Sequence, residues 1–195
     1  MADFATLLPS LILASGSVAR KALLESLGVA VKVCKTGCDE THDETDPARV
    51  TEMLAKRKLA SFQDTHPLYE IPVLCCDTMI SFQGSLIGKP KNRQEAFSQL
   101  SLFDGNMHEV HSGWALWYQE KVFSGTDLAE VSFKNLGPDR IASYLETEEW
   151  KGAAGSYRLQ GAGRNLVEKI VGDEATVIGL PLLQISEILG APLSV

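Results

Sequence analysis

The chain has 195 residues, 45% of them hydrophobic, and a formal net charge of -7 at pH 7, so it can bury a large core as one domain or two small lobes. That charge gives no overall pull toward a nucleic-acid backbone, and any bound phosphate needs a local cluster of cations and amides. No run approaches the roughly 20 apolar residues of a membrane helix, the apolar N-terminal stretch is broken by Pro9 and Ser10, and the four cysteines are too few for a disulfide framework, which predicts a cytoplasmic protein without nucleic-acid or membrane partners.

In chain order, residues 11–14 form a short buried strand, Ser15-Gly16-Ser17 a turn, and 19–27 a helix stopped by Gly28. Residues 29–33 are a second strand, and the acidic segment 39–46 leads into a helix from Pro47 to about Phe62. A buried strand over 72–76 ends at Asp77, and 79–82 and 85–87 form a hairpin around Gln83-Gly84. An amphipathic helix covers 92–102, two long antiparallel strands cover 108–117 and 122–133, and a helix covers 138–146. A glycine-rich segment over 152–163 precedes a strand at 166–171 and a closing helix at 181–189. Strands, helices and hairpins in this order predict an α/β fold of mixed α+β character, with a mixed sheet.

Ser15-Gly16-Ser17 offers two hydroxyls and the free N–H groups of a helix start, with Arg20 one turn on. That arrangement serves either as a plain Ser cap or as an anion cradle. Asp77 follows four apolar strand residues and either caps the turn or holds water or a metal. Asp39 and Glu40 supply further carboxylates at a strand end, and Lys58 and Lys89 further cations, while Lys56 is a solvated helix lysine. Gly88-Lys89-Pro90 lacks the spacing and the following Ser or Thr of a P-loop. Cys34 and Cys38 have zinc-ligand spacing but no matching second pair, so they are expected to be free thiols.

Together these residues resemble the Maf family of nucleotide pyrophosphatases over nearly the whole chain. Leu13-Ala14-Ser15-Gly16-Ser17-x-x-Arg20-x-x-Leu23-Leu24 is similar to the family's L-A-S-x-S-P-R-R-x-x-L-L, and Thr36-Gly37-Cys38-Asp39-Glu40 to its T-G-x-E-E. Leu54-Ala55-x-x-Lys58, Asp77-Thr78, Gly88-Lys89-Pro90 and His108-x-Val110-x-Ser112-Gly113 follow in the family's order. Ala154-Gly155-x-Tyr157-x-x-Gln160-Gly161 and Val177-Ile178-Gly179-Leu180-Pro181 complete it. Val18 and Ala19 replace the family's Pro-Arg, Ala153 stands where Lys is common, and Arg158 where Gly is usual.

The resemblance implies one domain over 1–195, with an elongated, twisted mixed sheet, flanking helices and a central cleft, similar to inosine triphosphatase-like enzymes, and often a homodimer. It implies hydrolysis of a nucleoside triphosphate between the α and β phosphates, releasing pyrophosphate. Ser15, Ser17, Arg20, Lys58 and Lys89 would neutralise the triphosphate, Glu40 and Asp77 would hold Mg²⁺ or Mn²⁺, and Asp77 would be the general base. The competing reading is a non-catalytic, nucleotide-binding regulator of cell division, which has no need of a carboxylate beside the phosphates.

Ala19, Thr78 and Gln160 occupy the positions that go with substrate choice in the family. The Gln160 amide suits the N3–H and a carbonyl of uracil or thymine, and Ala19 cannot stack on a methylated purine as a Trp would. The preference is for dTTP or UTP. The alternative is 7-methyl-GTP, whose branch Ser156-Tyr157-Arg158 resembles.

Overall fold

The computed structural model describes residues 4–66 and 69–190. The first half contains α1 (Phe4–Leu7), β1 (Ser10–Leu13), α2 (Val18–Ser26), β2 (Ala30–Val33), α3 (Pro47–Thr65), β3 (Val73–Phe82) and β4 (Ser85–Ile87). The second half contains α4 (Arg93–Phe103), β5 (Met107–Tyr118), β6 (Lys121–Phe133), α5 (Gly137–Leu145), β7 (Val167–Val171), α6 (Glu174–Ile178) and α7 (Leu182–Leu189). Two 3-10 turns, Ala154–Ser156 and Ala162–Leu166, give the glycine-rich segment its shape.

Local chemistry accounts for the boundaries. Ser17 Oγ accepts the Arg20 N–H to start α2, and Asp46 Oδ1 accepts the N–H groups of Ala48 and Arg49 to start α3 ahead of Pro47. Both hairpins turn through two left-handed residues, Gln83-Gly84 and Gln119-Glu120, the backbone hand that matches strand twist. The short helices α1 and α6 had no sequence signal, because four and five residues are too few to show a period.

The seven strands of the described residues form one sheet, in the order β2-β1-β3-β5-β6-β7 with β4 paired to β3. β1 lies parallel to β2 and β3, and the remaining pairs are antiparallel. Alternation along β3 divides its side chains between two layers. Val73 and Cys75 pack with Ala55, Leu59 and Phe62 of α3. Leu74 and Cys76 face Leu24 of α2 and Ile185 of α7, and Ile80 and Phe82 face α4 and α5.

One expectation fails here, because the strand does not end at Asp77. β3 runs unbroken from Val73 to Phe82, and Asp77 pairs with Gly113 in the middle of its ladder with β5. A carboxylate does not end a strand whose backbone bonds are met and whose side chain has a partner. On the opposite edge, β1 pairs only with Val73 and Leu74, and β4 begins only at Ile80. Between them the edge of β3 has no strand neighbour among the described residues, so Asp77 is interior on one side and open on the other.

Gly113 sets the distance between the sheet and α3. A Cβ built there would stand 2.2 Å from the Thr51 carbonyl carbon and 2.3 Å from the Glu52 nitrogen. These are backbone atoms inside a helix and cannot give way as a side chain would. Gly113→Ala should therefore lower unfolding stability by about 3 kcal/mol through overpacking, measured by urea denaturation. A change within about 0.5 kcal/mol, the scale of a neutral surface substitution, would contradict this close approach.

Candidate active site

The gap in the edge of β3 opens into a cleft of about 770 Å³. Ligands in open α/β sheets commonly bind beyond the carboxyl ends of parallel strands, and the cleft lies beyond the end of β1. It is lined by Ser15, Ser17, Ala19, Arg20, Glu40, Lys58, Asp77, Thr78, Lys89 and Gln160, so the residues to which the family resemblance gives roles converge on one space. Its wall is polar around Ser15, Lys58 and Asp77, and apolar around Ile80, Val110, Tyr157, Leu159 and Ile178.

Asp77 points to the α3 side of the sheet, where the side chain of Lys58 meets it. Lys58 Nζ lies 2.5 Å from Asp77 Oδ1 and 3.0 Å from Glu40 Oε1, with the Lys58 and Asp77 side chains only 14% and 11% exposed. Burial works against the lysine charge, but the two carboxylates outweigh it and raise its pKa above the ordinary value. Burial would raise Glu40, but its bond to Lys58 and the nearby charges of Lys58 and Lys89 hold it below the usual range. Asp77 Oδ2 has no donor among the described residues and stays available to a water or a ligand. Asp39 is not part of this cluster. Its carboxylate instead accepts from Thr41 N and Oγ1, and Arg57 ties the same loop down through the carbonyls of Asp39 and Thr41.

Thr78 faces the other side of β3 and meets Arg20. The guanidinium donates from Nε to Gly179 O at 2.7 Å, from Nη1 to Ser15 Oγ and Cys76 O, and from Nη2 to Thr78 Oγ1 at 2.9 Å. Four of its five N–H donors are thereby committed to protein acceptors, and Arg20 serves as a clamp joining the Ser15 loop, the open edge of β3 and the end of α6. Thr78 Oγ1 also bonds Ser112 Oγ, which donates to Thr176 O. Since the Ser112 proton goes to that carbonyl, Thr78 must donate to Ser112. Its hydroxyl holds Arg20 in place and has no proton left for a base.

Lys89 lies on the chain between β4 and α4, and Gln99 anchors that chain by donating to Gly88 O and accepting from Ser156 Oγ. Gln160 is exposed in the cleft, and no described residue bonds its amide. The backbone around it is set by Glu149, whose carboxylate lies against Gly161 and accepts the Ala162 N–H. Lys56 pairs with Glu52 on the surface, as expected. Of the departures from the family pattern, Arg158 is used locally, donating to the carbonyls of Glu149 and Lys151.

Two other groups near the cleft are chemically quiet. Burial pushes the Cys76 thiol up to about 11 and His108, stacked on Phe103, down to about 3. Near neutral pH neither a thiolate nor an imidazolium is present at these positions. Sequence reasoning missed Lys35, which also lines the cleft. The register Leu13↔Val33 places the residues after β2 beside those after β1, but that pairing is not visible in the sequence.

The sequence matches the family described as Maf-like protein over residues 10–191. The chain belongs to the Maf family. The matched segment contains every residue lining the cleft. Maf-family relatives include the dTTP/UTP pyrophosphatase of Halalkalibacterium halodurans, 42% identical over 88% of this chain and 90% of that protein. The dTTP/UTP pyrophosphatase of Thermus thermophilus is 37% identical over 94% of this chain and 95% of its own. That of Pyrococcus abyssi is 35% identical over 92% and 94%, respectively.

The paired ammonium has a testable signature. Because the folded pKa of Lys58 is raised, its contribution is fully present below the unfolded value of about 10.4 and is lost as pH rises through the folded one. Lys58→Met leaves Asp77 buried and unpaired, which should cost roughly 3–5 kcal/mol at pH 7. The stability gap between wild type and Lys58→Met should stay constant from about pH 6 to 9 and narrow above about 10.4, as followed by denaturation at each pH. A gap that narrows already by about pH 8 would show that the lysine is not held charged by its partners.

Proposed function

We propose that this chain is a nucleoside triphosphate pyrophosphatase that cleaves the bond between the α and β phosphates, with dTTP and UTP as its preferred substrates. The observation that carries the reading is the divided cleft, with Asp77 Oδ2 unbonded beside cationic Lys58 and Lys89 at one part of the wall and an apolar wall for a base at another. The names of its relatives support the same chemistry.

A water held by Asp77 Oδ2 loses its proton to that oxygen as it attacks the α-phosphorus, and the bond to the bridging oxygen breaks as pyrophosphate leaves with the electron pair. Lys58, donating to Oδ1, keeps the carboxylate aimed and supplies positive charge where negative charge grows. Lys89 neutralises the phosphates from the chain ahead of α4. The water attacks directly, so no covalent intermediate is needed.

Asp77 and Glu40 converge on the Lys58 ammonium, and their oxygens not bonded to it would hold Mg²⁺ or Mn²⁺, for which carboxylate oxygens are suitable ligands. Bound there, such an ion would neutralise phosphate charge and acidify a water ligand.

The free Gln160 amide is the group that reads the base, accepting from N3–H of a pyrimidine and donating to its carbonyl. Thr78 acts on choice only through Arg20. The run that resembles the 7-methyl-GTP branch is occupied with the scaffold. Tyr157 bonds His108 and packs edge-on to Phe133, while Arg158 holds backbone carbonyls.

A panel of nucleoside triphosphates with Mg²⁺, with pyrophosphate resolved from phosphate, tests the reading. Pyrophosphate should be the product, with kcat/KM for dTTP or UTP above that for 7-methyl-GTP. Release of orthophosphate, or a preference for 7-methyl-GTP, would overturn it. Asp77→Asn should lower kcat by roughly 10²–10⁴-fold while dTTP still binds by calorimetry. An Asp77→Asn enzyme of near-normal rate would remove Asp77 from the role of base. Gln160→Glu should move the kcat/KM ratio toward GTP, and an unchanged ratio would place base recognition elsewhere.

A further inference from the structure

The Gln160 amide meets the base from a stretch of chain with little regular structure of its own. Gly152, Gly155, Gly161 and Gly163 all fall within it, and backbone so rich in glycine has no strong shape preference. What fixes it is a set of ties to the chain around the end of α5. Arg158 N–H donates to Tyr144 Oη at 3.2 Å, and its guanidinium donates from Nε to Glu149 O at 2.8 Å and from Nη2 to Lys151 O at 2.7 Å. On the far side of Gln160, Glu149 Oε1 accepts the Ala162 N–H at 3.1 Å. Between these two anchors the turn closes on itself, with Gly161 N donating to Arg158 O.

The Glu149 carboxylate does little for the stability of the fold. Its Oε2 is buried and has no partner among the described residues, a condition that costs free energy. What the carboxylate does is fix a position, since it lies against Gly161, where a Cβ would stand 2.4 Å from Oε2 and 2.6 Å from Oε1. Gln160 is thereby held from both sides, through Arg158 before it and Ala162 after it. The post to which they are tied is firm. Tyr144, Leu145 and Trp150 are buried in one core cluster, and Trp150 Nε1 donates to Leu145 O.

A glutamine amide alone does not tell uracil from hypoxanthine. Both bases present an N–H beside a carbonyl, N3–H with O4 in one and N1–H with O6 in the other, and one amide bonds either pair. The two edges differ in reach, because the fused ring of the purine carries its edge farther from the sugar. Discrimination then depends on where the Gln160 backbone stands. We propose that Glu149 and Arg158 are positioning residues that hold Gln160 at the depth of a pyrimidine edge, so that a purine with the same hydrogen-bonding pattern is rejected. This rests on the reading of Gln160 as the group that meets the base, and adds what makes that group selective. A recognition group needs support to within about 0.5 Å, and a misplacement of about 1 Å can cost about 10²-fold.

The test compares UTP with ITP by kcat/KM for pyrophosphate release, and UMP with IMP by calorimetric affinity, so that it does not depend on turnover. Wild type should favour the pyrimidine in both. Glu149→Ala should lower the UTP-to-ITP ratio at least about three-fold, on the scale of one neutral hydrogen bond, through a higher KM for UTP with kcat little changed. Arg158→Met, which removes the two guanidinium ties, should do the same. Glu149→Gln keeps an acceptor for the Ala162 N–H and should keep the ratio. Gly161→Ala pushes aside only the end of a flexible side chain, at a φ of −122°, and should reproduce Glu149→Ala in a folded enzyme. Adding Glu149→Ala to Gln160→Ala should leave the ratio where Gln160→Ala put it, because the effect runs through that residue. A ratio that moves less than about three-fold in Glu149→Ala, or that falls equally in Glu149→Gln, would overturn the proposal, while a lowered ratio in Gln160→Ala would still uphold the base reading. A wild type without preference for the pyrimidine, or a Gln160→Ala enzyme with an unchanged ratio, would sink the base reading and this proposal together, and pyrophosphate release would remain as a separate result.

Discussion

The close passage of α3 over the sheet at Gly113 is the constraint from which the rest of the site follows. Asp77 stands opposite Gly113 in the ladder, and its carboxylate faces the same layer as the helix. Thr51 and Lys58 are seven positions apart, two helical turns, and so share a face. With the helix backbone in contact with Gly113 at Thr51 and Glu52, that face brings Lys58 down onto Asp77. A buried carboxylate without such a partner would be costly. The pair is therefore a condition of the strand running through Asp77.

The two faces of β3 divide the work at the open edge. Asp77 meets Lys58 on one side, and Thr78, the next residue, meets Arg20 on the other. The first pair keeps a carboxylate oxygen free, whereas the second consumes nearly all of its donors. Arg20 is the more instructive of the two cations, because a motif arginine at a helix start suggests phosphate binding. Its bonds to Gly179 O and Cys76 O fasten the open edge of β3 to the end of α6. Gly179 is part of the same fastening, since any Cβ there would run into Thr78 Oγ1 and the guanidinium. The other lysines lining the cleft besides Lys58 lie on connecting chain, Lys89 ahead of α4 and Lys35 after β2.

Most of the secondary structure was legible because its signals are local. Pro47, Gly28, Gln83-Gly84 and the long alternations of β5 and β6 mark their own elements, and the ordered motifs pointed to the Maf family. Which residues share a side could also be read, since alternation in a strand and period in a helix are properties of the sequence itself. The continuity of β3 through Asp77 was not legible, because the energy that keeps the strand intact comes from β5 and from Lys58.

The sequence by itself determined which chemistry is available: a carboxylate after an apolar strand, lysines at loop and helix positions, and an amide at Gln160. Only the tertiary structure decided what each group is free to do. Asp39 and Glu40 are neighbours with the same charge, yet one caps its own loop and the other reaches Lys58. Arg20 and Lys35 are both cations at the cleft, yet one is spent on four protein acceptors and the other on none among the described residues. Availability depends on partners brought from distant parts of the chain, such as Gly179 to Arg20 and Asp77 to Lys58. No local pattern encodes those meetings, because each is made by the pairing of strands and by how closely a helix can approach a glycine.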